Sequence, residues 1–258
     1  MKTYTLHRGS APLLISLPHN GTELPDDLRP RLTEESLHVP DTDWHVDQLY
    51  DFAKELGASI LVPHFSRYVI DLNRPPNDVS LYPGQNTTGL CPMQRFDAQP
   101  VYREGLQPDR DEVTTRVNRY WKPYHQALQQ ELVRIKNMHG RAVLWEGHSI
   151  RSVVPFLFDG QLPDFNLGTV GGTSCTPDLQ NRLEDLLDLQ DQYTHVINGR
   201  FKGGYITRQY GRPDNGVEAI QLELSQNTYM DEHTYVFDAE KAMPTQLLIR
   251  WMLEQCLT

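Results

Sequence analysis

Two apolar runs, each ending shortly before a histidine, constrain the fold of this chain most strongly. The first run spans residues 12–17 and precedes His19, and the second spans residues 142–145 and precedes His148. A continuous apolar run of this length is typical of a strand that is buried on both faces, as in a parallel sheet. Binding crevices of α/β sheets lie where such strands end and loops begin. We therefore expect both histidines to lie at one such crevice.

The remaining patterns alternate between apolar runs and amphipathic segments, which predicts an α/β fold. Strands are predicted at residues 13–17, 59–63, 68–72, 141–146, 167–170, 193–197 and 217–224. Helices are predicted at residues 44–56, 102–137, 177–187 and 239–257, and Pro123 is expected to kink or break the second of them. No shift in composition marks a boundary. We expect one domain over residues 1–258, with a mixed, mainly parallel central sheet between helices in three layers.

The charge and composition exclude several classes of partner. The chain has 34 acidic and 24 basic residues and a formal net charge of -10, which argues against nucleic acid or an anionic membrane as a partner. No window reaches the ~20 apolar residues of a membrane span, and the N-terminus lacks the apolar core of a signal peptide. The 3 cysteines are far apart, which favours free thiols over disulfides or a thiolate zinc site. We expect a cytoplasmic protein.

Two imidazoles at strand ends, together with one carboxylate, form the ligand set of an open hydrolytic metal site. We predict His19 and His148 as metal ligands and Asp43 as the third. Asp43 also precedes a predicted helix, where it is an equally good N-cap, so His45 and Glu23 stay open as alternative ligands. Such nitrogen and oxygen ligands suit Zn²⁺ and leave a position for water, and other divalent metals accept the same donors.

Two glutamates stand near predicted strand ends, where a carboxylate is costly unless it is paired or functional. Glu223 lies between Leu222 and Leu224, and we predict that it is the catalytic base that takes a proton from the attacking water. The alternative for Glu223 is a salt-bridged residue at a strand end. Glu146 lies two residues before His148 on the same strand face, and we predict that it serves catalysis by orienting that imidazole.

Arginines near the candidate metal ligands predict an acidic small-molecule substrate. Arg67 and Arg74 flank one short predicted strand, and Arg151 follows His148 by three residues. Arginine suits bidentate capture of a carboxylate, and the neighbouring Asn73 can add an amide contact. We predict that these three arginines and Asn73 bind a dicarboxylate or an amino acid.

Two turn-rich segments are candidates for mobile or binding loops. Residues 75–100 are rich in Pro, Gly and Asn and are expected to form a lid or binding loop. Residues 203–211 either close over the ligand or form a hairpin. The chain contains no P-loop, G-x-S-x-G elbow, H-E-x-x-H motif or dinucleotide fingerprint. Water activated by a metal is therefore the chemistry that the sequence supports best.

Five segments in order along the chain together resemble the N-formylglutamate amidohydrolase family. They are SLPHNG at 16–21, DTDWHVD at 41–47, SRYVIDLNR at 66–74, EGHS at 146–149 and QLELS at 221–225. The resemblance extends over about residues 12–250. It implies a fold related to zinc carboxypeptidases and aspartoacylases, with zinc on two histidines and a carboxylate. Thr22 departs from the carboxypeptidase pattern, which has a glutamate ligand there, so the third ligand is the least defined.

The resemblance also implies a reaction and a set of residue roles. The reaction is hydrolysis of N-formyl-L-glutamate to formate and L-glutamate, the last step of a histidine degradation route. The implied roles are zinc ligand for His19, His148 and Asp43, base for Glu223, and substrate anchor for Asn73 and Arg74. The alternatives are a related zinc hydrolase of other N-acyl amino acids, a carboxypeptidase-like enzyme, or a non-catalytic binder of acidic amino acids. The oligomeric state stays open.

Overall fold

The centre of the molecule is a sheet whose strands match most of the apolar runs. The computed structural model describes residues 2–81, 84 and 86–258. Within them the sheet consists of β1 (Tyr4–His7), β2 (Leu13–Ser16), β3 (Ser59–Pro63), β4 (Ala142–Ile150), β5 (Phe165–Gly168), β6 (His195–Ile197) and β7 (Val217–Ser225). The order across the sheet is β1-β3-β2-β4-β7-β5-β6. The pairs β1/β3 and β5/β7 are antiparallel and the others are parallel. The sheet is therefore mixed and mainly parallel, as predicted.

The helices surround this sheet, and short polar side chains cap three of them. The helices are α1 (Val46–Leu49), α2 (Arg110–Arg116), α3 (Lys122–His139), α4 (Pro177–Asp188), α5 (Tyr205–Tyr210) and α6 (Ala239–Leu257). The side chains of Asp109, Thr176 and Asp238 accept backbone N–H bonds at the starts of α2, α4 and α6, which satisfies donors that lack a partner within the helix. A separate small sheet pairs β8 (Met230–Asp231) with β9 (Val236–Phe237).

Two hydrophobic cores lie on opposite faces of the central sheet. Leu13 and Ile15 pack with residues of α4 and α6, whereas Leu14 between them packs with residues of α3. This alternation is the period of two expected for a strand buried on both faces. Helices on both faces give the three layers that the sequence predicts. Within the described ranges, no helix combines the length and the apolar character needed to cross a membrane.

The observed strands differ from the predicted ones in two places, each for a local reason. The predicted strand at residues 68–72 is wrong, because this segment forms turns. Ser66 and Asp71 accept backbone N–H bonds from Tyr68 at 3.2 Å and from Asn73 at 2.8 Å, and such side-chain bonds compete with a strand ladder. β1 is not among the predicted strands, because its four residues are half-buried or exposed at the sheet edge and contain no apolar run.

The helices also differ from their predicted bounds. The helix predicted at 44–56 is the short α1 followed by a 3₁₀ turn at Asp51–Lys54. The helix predicted at 102–137 begins only at α2, and a π-helical turn at Val117–Trp121 connects α2 to α3. In that turn the N–H of Lys122 bonds to the carbonyl of Val117, five residues back. Pro123 follows immediately, and the wider turn accommodates a residue that cannot donate a helical hydrogen bond.

Candidate metal and substrate site

Two parallel strands bring His19 and His148 together, as the sequence predicts. β2 and β4 are neighbours with Ser16 opposite Glu146, so the chain reaches both histidines at the same edge of the sheet. Their ring centroids are 4.7 Å apart. Asp43 completes a buried group in which one ligand atom from each residue lies within 4.8 Å of the other two.

The segment that carries Asp43 is tied directly to the first histidine. The backbone N–H of Asp43 donates to the carbonyl of His19 at 3.1 Å. The alternative ligand His45 is directed elsewhere, since its Nε2 bonds to the carbonyl of Tyr235 at 2.8 Å. Glu23, the other alternative, does not belong to the group formed by the two histidines and Asp43. Among the three candidates, Asp43 is the one placed with both histidines.

Both imidazoles direct Nδ1 toward Asp43 and Nε2 toward a further carboxylate. Nδ1 of His148 is 2.9 Å, and Nδ1 of His19 is 3.7 Å, from the same oxygen, Oδ2 of Asp43. The Nε2 atoms bond to two further buried carboxylates, His19 to Asp71 at 2.7 Å and His148 to Glu146 at 2.8 Å. A metal-binding histidine typically donates its other N–H to such a carboxylate. Two Nδ1 atoms and one carboxylate are therefore available, and this donor set fits Zn²⁺ or a similar divalent metal.

Charge coupling within this group is strong. Burial raises the pKa of the Asp43 carboxyl, but the charge of His19 and a hydrogen bond to His148 outweigh it, so the pKa lies below its ordinary value. Burial lowers the pKa of His148, but its bonds to Asp43 and Glu146 outweigh burial and hold the pKa well above its usual range. Buried carboxylates thus contact both imidazoles and stabilise positive charge there, whether a proton or a metal ion carries it.

Glu223 stands beside this group on the adjacent strand. The register of β4 and β7 places Glu223 opposite His148. The side chain is buried, and Oε2 accepts from Nε2 of Gln221 at 3.3 Å. Burial raises the pKa of Glu223 to about 8, although the charge of His148 acts in the opposite direction. A carboxyl with a pKa near neutrality is suited to take up and release a proton during turnover.

Glu146 contacts the site only through His148. It is fully buried and accepts hydrogen bonds from the backbone N–H of Thr207 at 3.1 Å and from the Thr207 hydroxyl. Its contact with Nε2 of His148 matches the orienting contact that the sequence predicts. Among the described residues, Glu146 does not line the cavity next to the histidines. Its hydrogen bonds to His148 and Thr207 suit a role in positioning the imidazole.

A cavity opens at the two histidines, and most of the predicted site residues line it. These are His19, Arg67, Asn73, Arg74, His148 and Glu223. Nη2 of Arg67 donates to Asp71 at 2.7 Å, and its Nη1 lies 3.8 Å from Oδ1 of Asp43. Nε of Arg74 donates to the carbonyl of Thr88 at 2.8 Å. Two of the three predicted arginines therefore present positive charge to the cavity.

Arg151 does not line the cavity within the described part of the chain. Its charge acts on Asp41 and Asp97 instead. Arg200, which has no distinguishing local pattern in the sequence, is the third arginine of the cavity wall. Its Nε donates to the carbonyl of Leu157 at 2.8 Å, and its Nη2 donates to that of Asn86 at 2.9 Å.

Asn73 connects the cavity to the segment at residues 203–211. Oδ1 of Asn73 accepts from the backbone N–H of Ile206 at 2.9 Å, and its Nδ2 lies 3.1 Å from Nε2 of His148. The segment contains α5, so the hairpin interpretation is wrong. Gly204 allows the close approach, because a Cβ at that position would lie 2.3 Å from Nδ2 of Asn73.

Residues 75–100 form no regular helix or strand in their described part. Thr88 of this segment lines the cavity, as a binding loop requires. The loop prediction also includes residues 82, 83 and 85, which lie outside the described residues.

Two further residues of the site also escape the sequence reasoning. Asp71 lies inside the SRYVIDLNR segment but within a stretch interpreted as a strand, so its bond to His19 is visible only in the fold. Phe96, 4.9 Å from the guanidinium carbon of Arg67, comes from a turn-rich loop without periodicity.

Comparisons with known proteins agree on one family. The family model described as N-formylglutamate amidohydrolase matches residues 11–230. A relative from Pseudomonas putida named N-formylglutamate deformylase is 49% identical over 257 residues, which cover 99% of this chain and 96% of the relative. A protein of the same name from Pseudomonas aeruginosa is 53% identical over 251 residues, covering 97% and 94%.

Solved structures agree with the sequence relatives. The crystal structure of N-formylglutamate amidohydrolase from Ralstonia eutropha JMP134 has a TM-score of 0.81 and 29% identity, and the match covers 100% of this chain and 96% of that one. The gene product Atu2144 from Agrobacterium tumefaciens shares the fold, with a TM-score of 0.75 and 17% identity over 99% of this chain and 94% of its own.

Proposed function

Because the chain belongs to the N-formylglutamate amidohydrolase family, we propose that it hydrolyses N-formyl-L-glutamate to formate and L-glutamate. One observation carries this proposal. The buried group of His19, Asp43 and His148 meets Glu223 at a cavity that arginines line. The names of the closely similar Pseudomonas relatives support the same reaction.

The proposed cofactor is Zn²⁺, and another divalent metal would use the same ligands. Nδ1 of His19, Nδ1 of His148 and the carboxylate of Asp43 would hold the ion, with Asp71 and Glu146 orienting the imidazoles. When bound, the metal supplies Lewis acidity, which polarises the formyl carbonyl and lowers the pKa of water.

Glu223 performs the proton transfers in this proposal. Its carboxylate takes a proton from the water that attacks the formyl carbon, and it returns that proton to the glutamate nitrogen as the carbon–nitrogen bond breaks. Its position opposite His148 places it on the strand next to a proposed metal ligand. Arg67 lies beside Asp43 and is the side chain available to stabilise negative charge on the former carbonyl oxygen.

Substrate recognition requires positive charge for two carboxylates. We assign them to Arg74 and Arg200, which line the cavity and are anchored to separate loop carbonyls. Asn73 supplies a side-chain amide at the cavity wall, and its contacts to His148 and to α5 hold that amide in place. Arg151 does not line the cavity, so we assign it no direct contact with the substrate.

Several further parts of the proposal rest on the sequence alone, either on its composition or on the motif resemblance. They are a single domain, a fold related to zinc carboxypeptidases and aspartoacylases, a cytoplasmic location, and a role in the last step of a histidine degradation route. None of them alters the chemistry assigned to the residues.

The test measures metal content and formate release together. We expect the purified protein to hold about one divalent metal per chain, to release formate from N-formyl-L-glutamate, and to lose activity after chelation. Faster hydrolysis of N-acetyl- or N-succinyl-glutamate would identify a different N-acyl hydrolase. Binding of glutamate without metal and without formate release would identify a non-catalytic binder.

A further inference from the structure

Asp43 depends on a different kind of support from the other proposed metal ligands. His148 lies within β4, and His19 follows β2 by three residues. Asp43 instead lies in the irregular segment before α1, outside any helix or strand. A ladder of backbone hydrogen bonds therefore does not fix its position, although its carboxylate must meet both imidazoles.

Two buried side chains hold the backbone on both sides of Asp43. Nε2 of Gln226 donates to the carbonyl of Thr42 at 3.0 Å, and the hydroxyl of Tyr229 donates to the carbonyl of Trp44 at 2.8 Å. Gln226 is 2% exposed and Tyr229 is 0% exposed, so water does not compete for either bond.

Ser149 links these donors to the carboxylate itself. The Tyr229 hydroxyl has one proton, and it donates that proton to the Trp44 carbonyl, which can only accept. The Ser149 hydroxyl, whose Oγ lies 2.6 Å away, therefore donates to the Tyr229 oxygen. Gln226 donates to the same Oγ at 3.3 Å. The backbone N–H of Ser149 donates to Oδ2 of Asp43 at 3.2 Å. The network therefore reaches Asp43 through its backbone and through its side chain.

We propose that Gln226 and Tyr229 are positioning residues for the metal centre, which act by holding the carbonyls on either side of Asp43. The inference rests on the proposed metal site and adds a role for the segment that directly follows β7. Because both residues belong to that segment, it joins the strand of Glu223 to the loop of Asp43. One short stretch of chain would thus set the distance between the proposed base and the proposed third ligand.

The test removes one hydroxyl and measures binding of Zn²⁺ rather than activity. Tyr229→Phe retains the ring and loses only the two hydrogen bonds of the hydroxyl, to Trp44 and to Ser149. We expect Zn²⁺ affinity, measured by competition with a chelator, to fall about 10- to 100-fold, as for other groups that orient metal ligands. We also expect the absorption spectrum of the Co²⁺-loaded protein to change, because the ligand geometry relaxes.

Tyr124→Phe is the matched control. Tyr124 is also fully buried, and its hydroxyl bonds to Ser16 at 2.9 Å in the core on the other face of the sheet. We expect it to lower the melting temperature of the metal-free protein as much as Tyr229→Phe does, while its Zn²⁺ affinity and Co²⁺ spectrum stay like those of the wild type. Gln226→Met provides a second variant with an intact Tyr229, and we expect it to weaken Zn²⁺ binding in the same way.

The outcomes separate this inference from the proposed function. If the wild-type protein binds no Zn²⁺, the metal centre itself is wrong and the inference falls with it. If the wild type binds Zn²⁺ and both variants match it in affinity and Co²⁺ spectrum, the metal centre stands and the positioning role is overturned. An equal loss of affinity in Tyr124→Phe would also overturn it, because the effect would then be one of general stability.

Discussion

The site has a strand-borne half and a loop-borne half, and the two are built differently. His148 and Glu223 face each other across paired strands, so the register of β4 and β7 sets their separation. Asp43 and Asn73 lie on irregular segments, where single hydrogen bonds replace the ladder. We therefore expect strand-borne residues to tolerate the loss of one hydrogen bond, whereas loop-borne residues depend on each of theirs.

Asn73 repeats the arrangement seen at Asp43. The carbonyl of Leu72 accepts from Nε2 of His125 at 2.8 Å, and the carbonyl of Arg74 accepts from Nε1 of Trp121 at 2.9 Å. The rings of Trp121 and His125 are stacked with centroids 3.6 Å apart. Both loop-borne residues therefore stand between two carbonyls that buried side chains hold.

The largest effect is expected in the strand-borne half. Glu223→Gln keeps the shape and the register but removes the base, so we expect turnover to fall about 10²- to 10⁴-fold. Bound metal should be retained, because Glu223 is not in the ligand group. Formate release and metal content test this. Glu218→Gln, on the same strand with its partner Thr176, is the control, and turnover equal to that of the wild type in Glu223→Gln would exclude the base role.

The next effect concerns the pH dependence of stability that arises from His125, the α3 residue that holds the loop of Asn73. Burial lowers the pKa of His125 to about 4 from 6.5, so the folded protein holds this ring neutral. At a pH between these two pKa values, His125 is protonated in the unfolded chain but neutral in the folded protein. Stability from this group is therefore complete above pH ~6.5 and is lost as the pH falls toward ~4, by at most about 3 kcal/mol.

His125→Gln tests this prediction, because it can still donate to Leu72 but does not titrate. We expect its unfolding free energy in urea to vary less between pH 4 and 7 than that of the wild type. Because all other groups are shared, the difference between the two curves isolates His125. Parallel curves would show that burial does not shift its pKa.

A smaller effect is expected at the cavity wall. Arg200→Met removes a charge assigned to a substrate carboxylate, so we expect KM to rise roughly 10- to 30-fold, corresponding to about 1.5–2 kcal/mol, with kcat little changed. Arg151→Met is the matched control, since Arg151 does not line the cavity in the described structure. Steady-state kinetics with N-formyl-L-glutamate distinguish them, and a larger KM increase in Arg151→Met would restore the original assignment.

The smallest effect is expected from a side chain that supports the loop of Asn73 and Arg74. Trp121→Phe keeps an aromatic ring but loses the N–H that holds the Arg74 carbonyl. We expect kcat/KM to fall about 5- to 10-fold, which corresponds to roughly 1 kcal/mol for one neutral hydrogen bond. The same assay on Trp251→Phe, at a half-exposed residue of α6, controls for the loss of an indole. Unchanged kinetics in Trp121→Phe would mean that Asn73 and Arg74 need no such support.

The sequence predicts the strand-borne half well because its signals are local. The apolar runs before His19 and around Glu223 identify buried strands, and chain order then places their ends at one sheet edge. The loop-borne half is harder. The sequence favours Asp43 but leaves His45 and Glu23 open, because all three are polar residues near candidate turns, and only the fold places Asp43 with both histidines.

Arg200 and the segment at residues 68–72 show the limit of local patterns. Arg151 follows His148 by three residues, whereas Arg200 lies near no candidate ligand in the sequence, yet the folded loops bring Arg200 and not Arg151 to the described cavity. Residues 68–72 have the composition of a strand, but Ser66 and Asp71 capture the backbone into turns. In both cases the deciding contacts join residues through side chains, which periodicity does not record.

The π-helical turn between α2 and α3 determines which side chains share one helix face. Arg116 donates to the carbonyl of Val69 at 2.9 Å, and Trp121, five positions later, donates to that of Arg74. In a regular α-helix, positions five apart point about 140° away from each other, because each residue advances by about 100°. The extra residue in the turn restores their angular alignment. If the same residues formed a regular α-helix instead, Trp121 and His125 would rotate out of phase with Arg116, so the loop at 69–74 would lose its donors without any change in their identity.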